Sequence, residues 1–169
     1  PNPWDAGSAS VLASLGFKAL ATTSSGYAWS CARADGQMPR DEVLAHMRYM
    51  VQATHLPVNA DFESGYADTP EGVAESVHMA VGTGVAGISI EDSTGDPREP
   101  LRELAEATER MCAAREAIDA TGGETLLIGR AENFFVDRPD LDDTLARLRA
   151  YADAGADCLY APGLRTREQ

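Results

Sequence analysis

The chain has 169 residues, 44% hydrophobic and 24% charged, the balance of a single globular domain large enough to bury a core. Its net charge of −13, with no cluster of Lys or Arg, argues against nucleic acid as a partner. No apolar run reaches bilayer length, no signal-peptide pattern is present, and Cys31, Cys112 and Cys158 lack CxxC spacing. A cytoplasmic protein with reduced thiols is therefore expected, without a membrane partner, disulfide framework or zinc site. The chain opens Pro1-Asn2-Pro3 without an initiator Met, so further residues are expected upstream.

Strand and helix signals alternate along the chain. Pro1 to Asp5 reads as the tail of a strand, and Ser8 to Leu15 as a helix stopped by Gly16. Lys18 to Thr23 reads as a strand and Ser24 to Met38 as a long loop. Arg40 to Thr54 is a helix with Val43, Leu44, Met47, Met50 and Val51 on one stripe. Pro57 to Glu63 alternates with period two, placing Asn59, Asp61 and Glu63 opposite Val58, Ala60 and Phe62. Thr69-Pro70-Glu71 is a helix start, with an N-cap, a proline at the first helical position and an acid in the first turn. Val85 to Ile90 is a strand running into Glu91-Asp92, followed by a loop over Ser93 to Glu99 and a helix over Leu101 to Ala120. Leu126 to Arg130 is a strand, Asp140 caps a helix over Leu141 to Ala154, and Asp157 to Tyr160 is the last strand.

Gly16, Gly84 and Gly155 each end a helix before a new strand, and recur at intervals of about 70 residues, two strand-helix units apiece. Repeated units of this kind give a parallel α/β sheet with helical crossovers. An open doubly wound sheet would be complete with five or six strands. A (β/α)8 TIM-type barrel needs eight strands and about 250 residues, so this chain would hold roughly its first six strands in one partial barrel domain, 1–169.

The polar residues collect where the strands end. Asp61 and Glu63 share one face, Ser89 shares a face with Glu91, and Arg130 shares one with Glu132. In either architecture the strands' C-terminal ends form the ligand site. Acids from separate strands beside one Arg suit a hard cation next to an anion clamp. The plainer readings are solvated loop acids and an internal ion pair between Arg130 and Glu132 or Glu63. Tyr27 and Tyr160 are candidates to face the cavity, Cys31 reads as a passive thiol, and Cys112 and the three histidines as packing or surface groups.

Ser24-Ser25-Gly26-Tyr27, PVNADFESGY (57–66), GISIED (87–92), GRAEN (129–133) and DAGADCL (153–159) resemble the isocitrate lyase/phosphoenolpyruvate mutase superfamily in order and spacing, over essentially the whole chain. The mutase pattern D-x-D-T-G-Y lies on Asp61 to Tyr66, with Glu63 in place of an Asp. The resemblance implies a (β/α)8 barrel with Mg2+, or Mn2+ in its place, held by Asp61, Glu63 and Glu91 partly through waters. It also implies that Ser25, Gly26 and Tyr27 contact the substrate's carboxylate and oxo group, that Arg130 anchors the substrate, and that Asp35 is a further active-site acid. The implied reaction cleaves or rearranges a C–C or C–P bond beside a 2-oxo acid or phosphonate through an enolate, in a homo-oligomer, dimer or tetramer.

Departures narrow the branch. The lyase motif K-[KR]-C-G-H is absent after Asp92, where Ser93-Thr94-Gly95-Asp96-Pro97-Arg98 stands instead. Phosphonopyruvate mutase or hydrolase and oxaloacetate decarboxylase are favoured over a methylisocitrate or isocitrate lyase. Lys18, the only lysine, lies at the wrong end of its strand for a Schiff base. The alternatives from other classes are a non-catalytic flavodoxin- or receiver-like domain and a family member that binds without turnover.

Overall fold

Strand order decides between the two architectures. In the computed structural model, which describes residues 1–169, the strands are β1 (Leu20–Ala21), β2 (Val58–Asp61), β3 (Gly87–Glu91), β4 (Leu126–Arg130) and β5 (Cys158–Tyr160). They are all parallel and adjacent in the order β1-β2-β3-β4-β5. A doubly wound sheet reverses direction at a switch point, as in the flavodoxin order. Here each strand is added on the same side as the last, as in a (β/α) barrel, and the sheet curls into part of one. The receiver-like alternative is thereby corrected.

The expected strand at Pro1–Asp5 contributes little: the Pro1 carbonyl accepts from the Ala21 amide at 3.1 Å, and the chain then enters α1 (Ala6–Ser14). Asp5 and Ser8 form a reciprocal capping box there, which starts the helix two residues earlier than expected.

The larger difference lies between β1 and α3 (Arg40–Gln52). The stretch read as loop contains a helix, α2 (Ser24–Ser30). Its Ser and Gly residues read as breakers, but Thr23 caps it by accepting from the Gly26 amide, and Gly26 is required by a close approach. A Cβ on Gly26 would lie 2.5 Å from the Trp4 indole. β1 is cut to two residues, although the Thr22 amide still donates to the Asn59 carbonyl at 2.9 Å before Thr23 caps the helix.

The helices α4 (Pro70–Val81) and α6 (Leu141–Asp153) begin as their caps dictate, with Thr69 accepting from the Gly72 amide and Asp140 from the Asp143 amide; α5 (Leu104–Ala120) has no side-chain cap. The helix expected from Leu101 starts at Leu104, because Leu101 bridges back to Ser93 and the Arg102 amide donates to the Asp92 carbonyl at 2.9 Å.

Register sorts the side chains. Ala60, Ile88, Ile90 and Leu127 are buried in the layer shared with the helices, next to Met47, Val73, Val77 and Met111, and Val58 is buried with Ala9, Leu20 and Met50. Each large apolar side chain buried there contributes about 1.5–3 kcal/mol. The other face carries Asn59, Asp61, Ser89, Glu91, Ile128, Arg130, Cys158 and Tyr160. The ladder sets Asp61 beside Ser89, Ile128 and Cys158 in one row, and Glu91 beside Arg130 and Tyr160 in the next. Cys112, expected in helix packing, is exposed.

Candidate active site

Asp61 ends β2 with its amide and both carboxylate oxygens engaged. Its amide donates to the Thr22 hydroxyl at 2.9 Å, and its Oδ2 accepts from the Ser24 amide and hydroxyl, both at 3.0 Å. Its Oδ1 faces Arg130 Nη1 at 3.3 Å. Glu63, two residues on, has a left-handed backbone with φ +46°. Its carboxylate accepts from the Tyr66 hydroxyl at 2.6 Å, and its carbonyl accepts from the Glu91 amide at 3.0 Å. The loop after β2 is thus tied to the end of β3.

Arg130 sits among the acids. Its Nη1 lies 3.5 Å from Glu91, its Nε contacts Glu132, and its guanidinium carbon lies 5.6 Å from the Tyr160 ring and 5.9 Å from that of Phe135. The plain ion-pair reading is therefore right as far as it goes, with Asp61 and Glu91 added to the expected Glu132. One guanidinium does not balance four carboxylates. Burial, against the pull of Arg130 and with the push of Glu132, Asp61 and Glu63, lifts the Glu91 carboxyl to about 8. Burial likewise raises Glu63, helped by Asp61 and Asp35, and raises Glu132. Although burial opposes it, the charges of Glu91, Glu132 and Asp61 hold Arg130 above its usual value.

The site residues expected from sequence divide into two groups. Ser25, Asp35, Asp61, Glu63, Glu91 and Arg130 line one cavity of about 840 Å3 at the C-terminal ends of the strands. Gly26 and Tyr27 lie outside its lining. The Tyr27 ring stacks on His46 at 3.7 Å, while Tyr160 does face the cavity. The Gly26 and Tyr27 amides are both taken up by Thr23, at 3.3 and 3.0 Å.

Sequence reasoning did not single out Ser24, Glu132 or Tyr66 as site residues. Glu132 shares the face of Arg130 and Tyr66 lies within the recognised motif, so both had a signal. The Ser24–Asp61 bonds span 37 residues and had none.

The site's donors fit a hard cation of one kind. No three acidic, His or Cys side chains close around a point as a direct ligand cage. Asp61 and Glu91 lean on Arg130, and Glu63 on Tyr66, leaving several partly neutralised carboxylate oxygens around a polar cavity. That set suits an ion that keeps most of its waters and touches one or two carboxylates, as Mg2+ does, and is unsuited to a closed zinc site.

The chain resembles known proteins along its length. It superposes on the crystal structure of a Burkholderia cenocepacia J2315 protein assigned provisionally as a lyase/mutase, with TM-score 0.96 and 49% identity, covering 99% of this chain and 61% of that one. It is 30% identical over 163 residues to an uncharacterised Mycobacterium tuberculosis protein, covering 96% of this chain and 59% of that protein. It is 34% identical over 134 residues to oxaloacetate decarboxylase of Rhodopseudomonas palustris BisA53, covering 76% of this chain and 44% of the enzyme. The chain thus spans about half the length of the curated relatives it matches. The model of the phosphoenolpyruvate phosphomutase family matches residues 1–169. With its strand order, its row of strand-end acids and this full-length match, the chain belongs to the phosphoenolpyruvate phosphomutase family of the isocitrate lyase/phosphoenolpyruvate mutase superfamily.

Proposed function

We propose that these residues form the cation and anion half of an active site that breaks or rearranges a C–C or C–P bond beside a 2-oxo acid through an enolate, with Mg2+ as cofactor. One observation carries the reading. Three carboxylates, Asp61, Glu91 and Glu132, converge on one guanidinium at the strands' C-terminal ends, Glu63 lines the same cavity with its carboxylate on Tyr66, and burial lifts Glu91 to about 8, well above the ordinary carboxyl range. Acids gathered in this way, short of positive charge, are poised for a divalent ion and its anionic ligand.

When bound, the ion would supply positive charge at the oxygen where the enolate develops. Asp61, Glu63 and Glu91 would hold it, mostly through water. Arg130, whose Nε and Nη1 are occupied by the acids, has Nη2 left to meet a substrate carboxylate. The Ser25 hydroxyl, which lines the same cavity, would orient the oxo acid, while the Ser24 hydroxyl holds Asp61.

The loop from Ser93 to Leu101 favours one reaction class within this chemistry. It reaches the cavity with Ser93, Thr94 and Gly95, and it carries no thiol, imidazole or amine. Aldol-type cleavage needs a base to take a proton from a hydroxyl. Loss of CO2 from an oxaloacetate-like acid does not: the C3–C4 electron pair moves into the enolate, CO2 departs, and water returns a proton to C3. Decarboxylation of this kind is favoured, in line with the oxaloacetate decarboxylase relative. Phosphonopyruvate rearrangement or hydrolysis is the second reading, favoured by the family match. Incubation with oxaloacetate, phosphonopyruvate, phosphoenolpyruvate and methylisocitrate, in Mg2+ and then in EDTA, tests both. Metal-dependent formation of pyruvate, or of phosphoenolpyruvate from phosphonopyruvate, that is abolished in Asp61→Ala and Glu91→Ala is expected. Wild-type-like activity in both variants, or no product from any of the four, contradicts the proposal.

A further inference from the structure

The backbone that presents Glu63 is strained. Between Glu63 and Tyr66, three of the four residues have left-handed φ: Glu63 at +46°, Gly65 at +87° and Tyr66 at +53°. Glycine takes this conformation freely, but each side-chain-bearing residue there costs about 1 kcal/mol or more. The strain is held from outside the loop. Arg110, on α5, donates through Nη2 to the Ser64 and Ala67 carbonyls, each at 2.7 Å, and through Nη1 to the Asp68 carbonyl at 3.1 Å.

Arg110 is only 1% exposed, and all of its hydrogen bonds go to main-chain carbonyls. A buried cation paired with dipoles and no contacting carboxylate is an expensive device. Burial accordingly lowers its pKa. The planar fork matches the arrangement: one guanidinium spans three carbonyls across five residues, which a point-charge ammonium cannot do. On the other side of the same turn, the Glu63 carbonyl is fixed by the Glu91 amide and its carboxylate by Tyr66.

We propose that Arg110 is a positioning residue for the cation site: its fork clamps the loop from Ser64 to Asp68 and thereby aims the Glu63 carboxylate beside Asp61 and Glu91. The inference rests on the metal reading proposed above. It assigns to α5, which contributes no side chain to the cavity lining, control over the affinity of the site.

The test is Mn2+ binding to the full chain, read from the electron paramagnetic resonance signal of free Mn2+, for the wild type, Arg110→Met and Arg110→Lys. Near-UV circular dichroism and amide hydrogen exchange over residues 62–68 are followed alongside. Binding about tenfold weaker or worse is expected in a folded Arg110→Lys protein, with faster exchange confined to the loop. Arg110→Lys decides the matter if Arg110→Met fails to fold. A merely structural role would lower the unfolding midpoint and leave the Mn2+ affinity of the folded protein at the wild-type value, and that result overturns the proposal. A wild-type chain that takes up no Mn2+ removes the metal reading itself, and the positioning role falls with it.

Discussion

Glu91 and Asp92 are neighbours at the end of β3 and face opposite ways. Glu91 enters the cavity, where Asp61 and Glu132 share one arginine with it and Glu63 lines the same space. Asp92, 1% exposed, turns toward α6, where each of its oxygens is satisfied. Its Oδ1 accepts from the Glu132 amide at 2.9 Å, and its Oδ2 from Arg147 at 3.1 Å and from the Tyr151 hydroxyl at 2.6 Å. Arg147 is in turn held by Asp143 and by the Arg102 carbonyl. The two carboxyl groups have the same chemistry and a backbone in common, yet one network is closed and the other is short of positive charge. A closed buried network specifies the fold. An unbalanced one keeps its capacity for an exogenous ion. The closed network also supports the open one, because the Asp92–Glu132 bond fixes the backbone from which Glu132 contacts Arg130.

Breaking the closed network should have the largest effect. Asp92→Ala removes the acceptor of three donors, the Arg147 guanidinium, the Tyr151 hydroxyl and the Glu132 amide; although Arg147 keeps Asp143, the substitution is expected to cost about 3–5 kcal/mol in urea unfolding. A loss below about 1 kcal/mol would remove the distinction between the two acids.

A buried group outside both networks shows what an unmet polar atom does to stability. His46 stacks on Tyr27, and its Nε2 is buried without a partner. Burial pushes its pKa down from the ordinary imidazole range to about 4. Because the folded value lies below the unfolded one, the unfolded chain takes up the proton first as pH falls. Stability attributable to His46 is therefore intact above about pH 6.5 and is lost progressively toward pH 4, by about 1.4 kcal/mol per pH unit. His46→Phe, which keeps the stack, should flatten the unfolding free energy across that window; an unchanged slope would assign it to other groups.

Tyr151→Phe sharpens the comparison within the closed network. It removes one hydrogen bond to a buried carboxylate and is expected to cost about 1.5–3 kcal/mol in the same unfolding measurement, while turnover survives. Glu91→Gln gives the smallest change in stability, within about 1 kcal/mol without metal, since Arg130 keeps Asp61 and Glu132. Its loss should appear in metal-dependent activity instead.

What could be seen in the sequence follows from the range of the interactions. The period-two pattern placed Asp61, Glu91 and Arg130 on the cavity side, and register confirms that face. The caps at Thr69 and Asp140 act within one helical turn and were equally visible. The helix at Ser24–Ser30 was hidden, because its stability depends on Trp4 packing on Gly26 and on Asp61 accepting from Ser24. Arg110 and Arg147 look like ordinary helix-surface residues in sequence. Apart from Asp143, one turn from Arg147, the partners cited for them lie more than 40 residues away in the loop after β2 and at the end of β3, and only the packed fold makes them buried. The direction of Asp92 was legible by parity, and its function was not.

The most direct measurement of the central claim is thermal unfolding of the wild type, Asp61→Asn and Glu91→Gln as Mg2+ is raised. A cation bound by these strand-end acids should stabilise the wild type by about 2.7 kcal/mol at a hundred times the dissociation constant. That gain should vanish in both variants, with the metal-free unfolding of Glu91→Gln staying close to the wild type. A wild-type midpoint indifferent to Mg2+, or an equal upward shift in all three proteins, would contradict it.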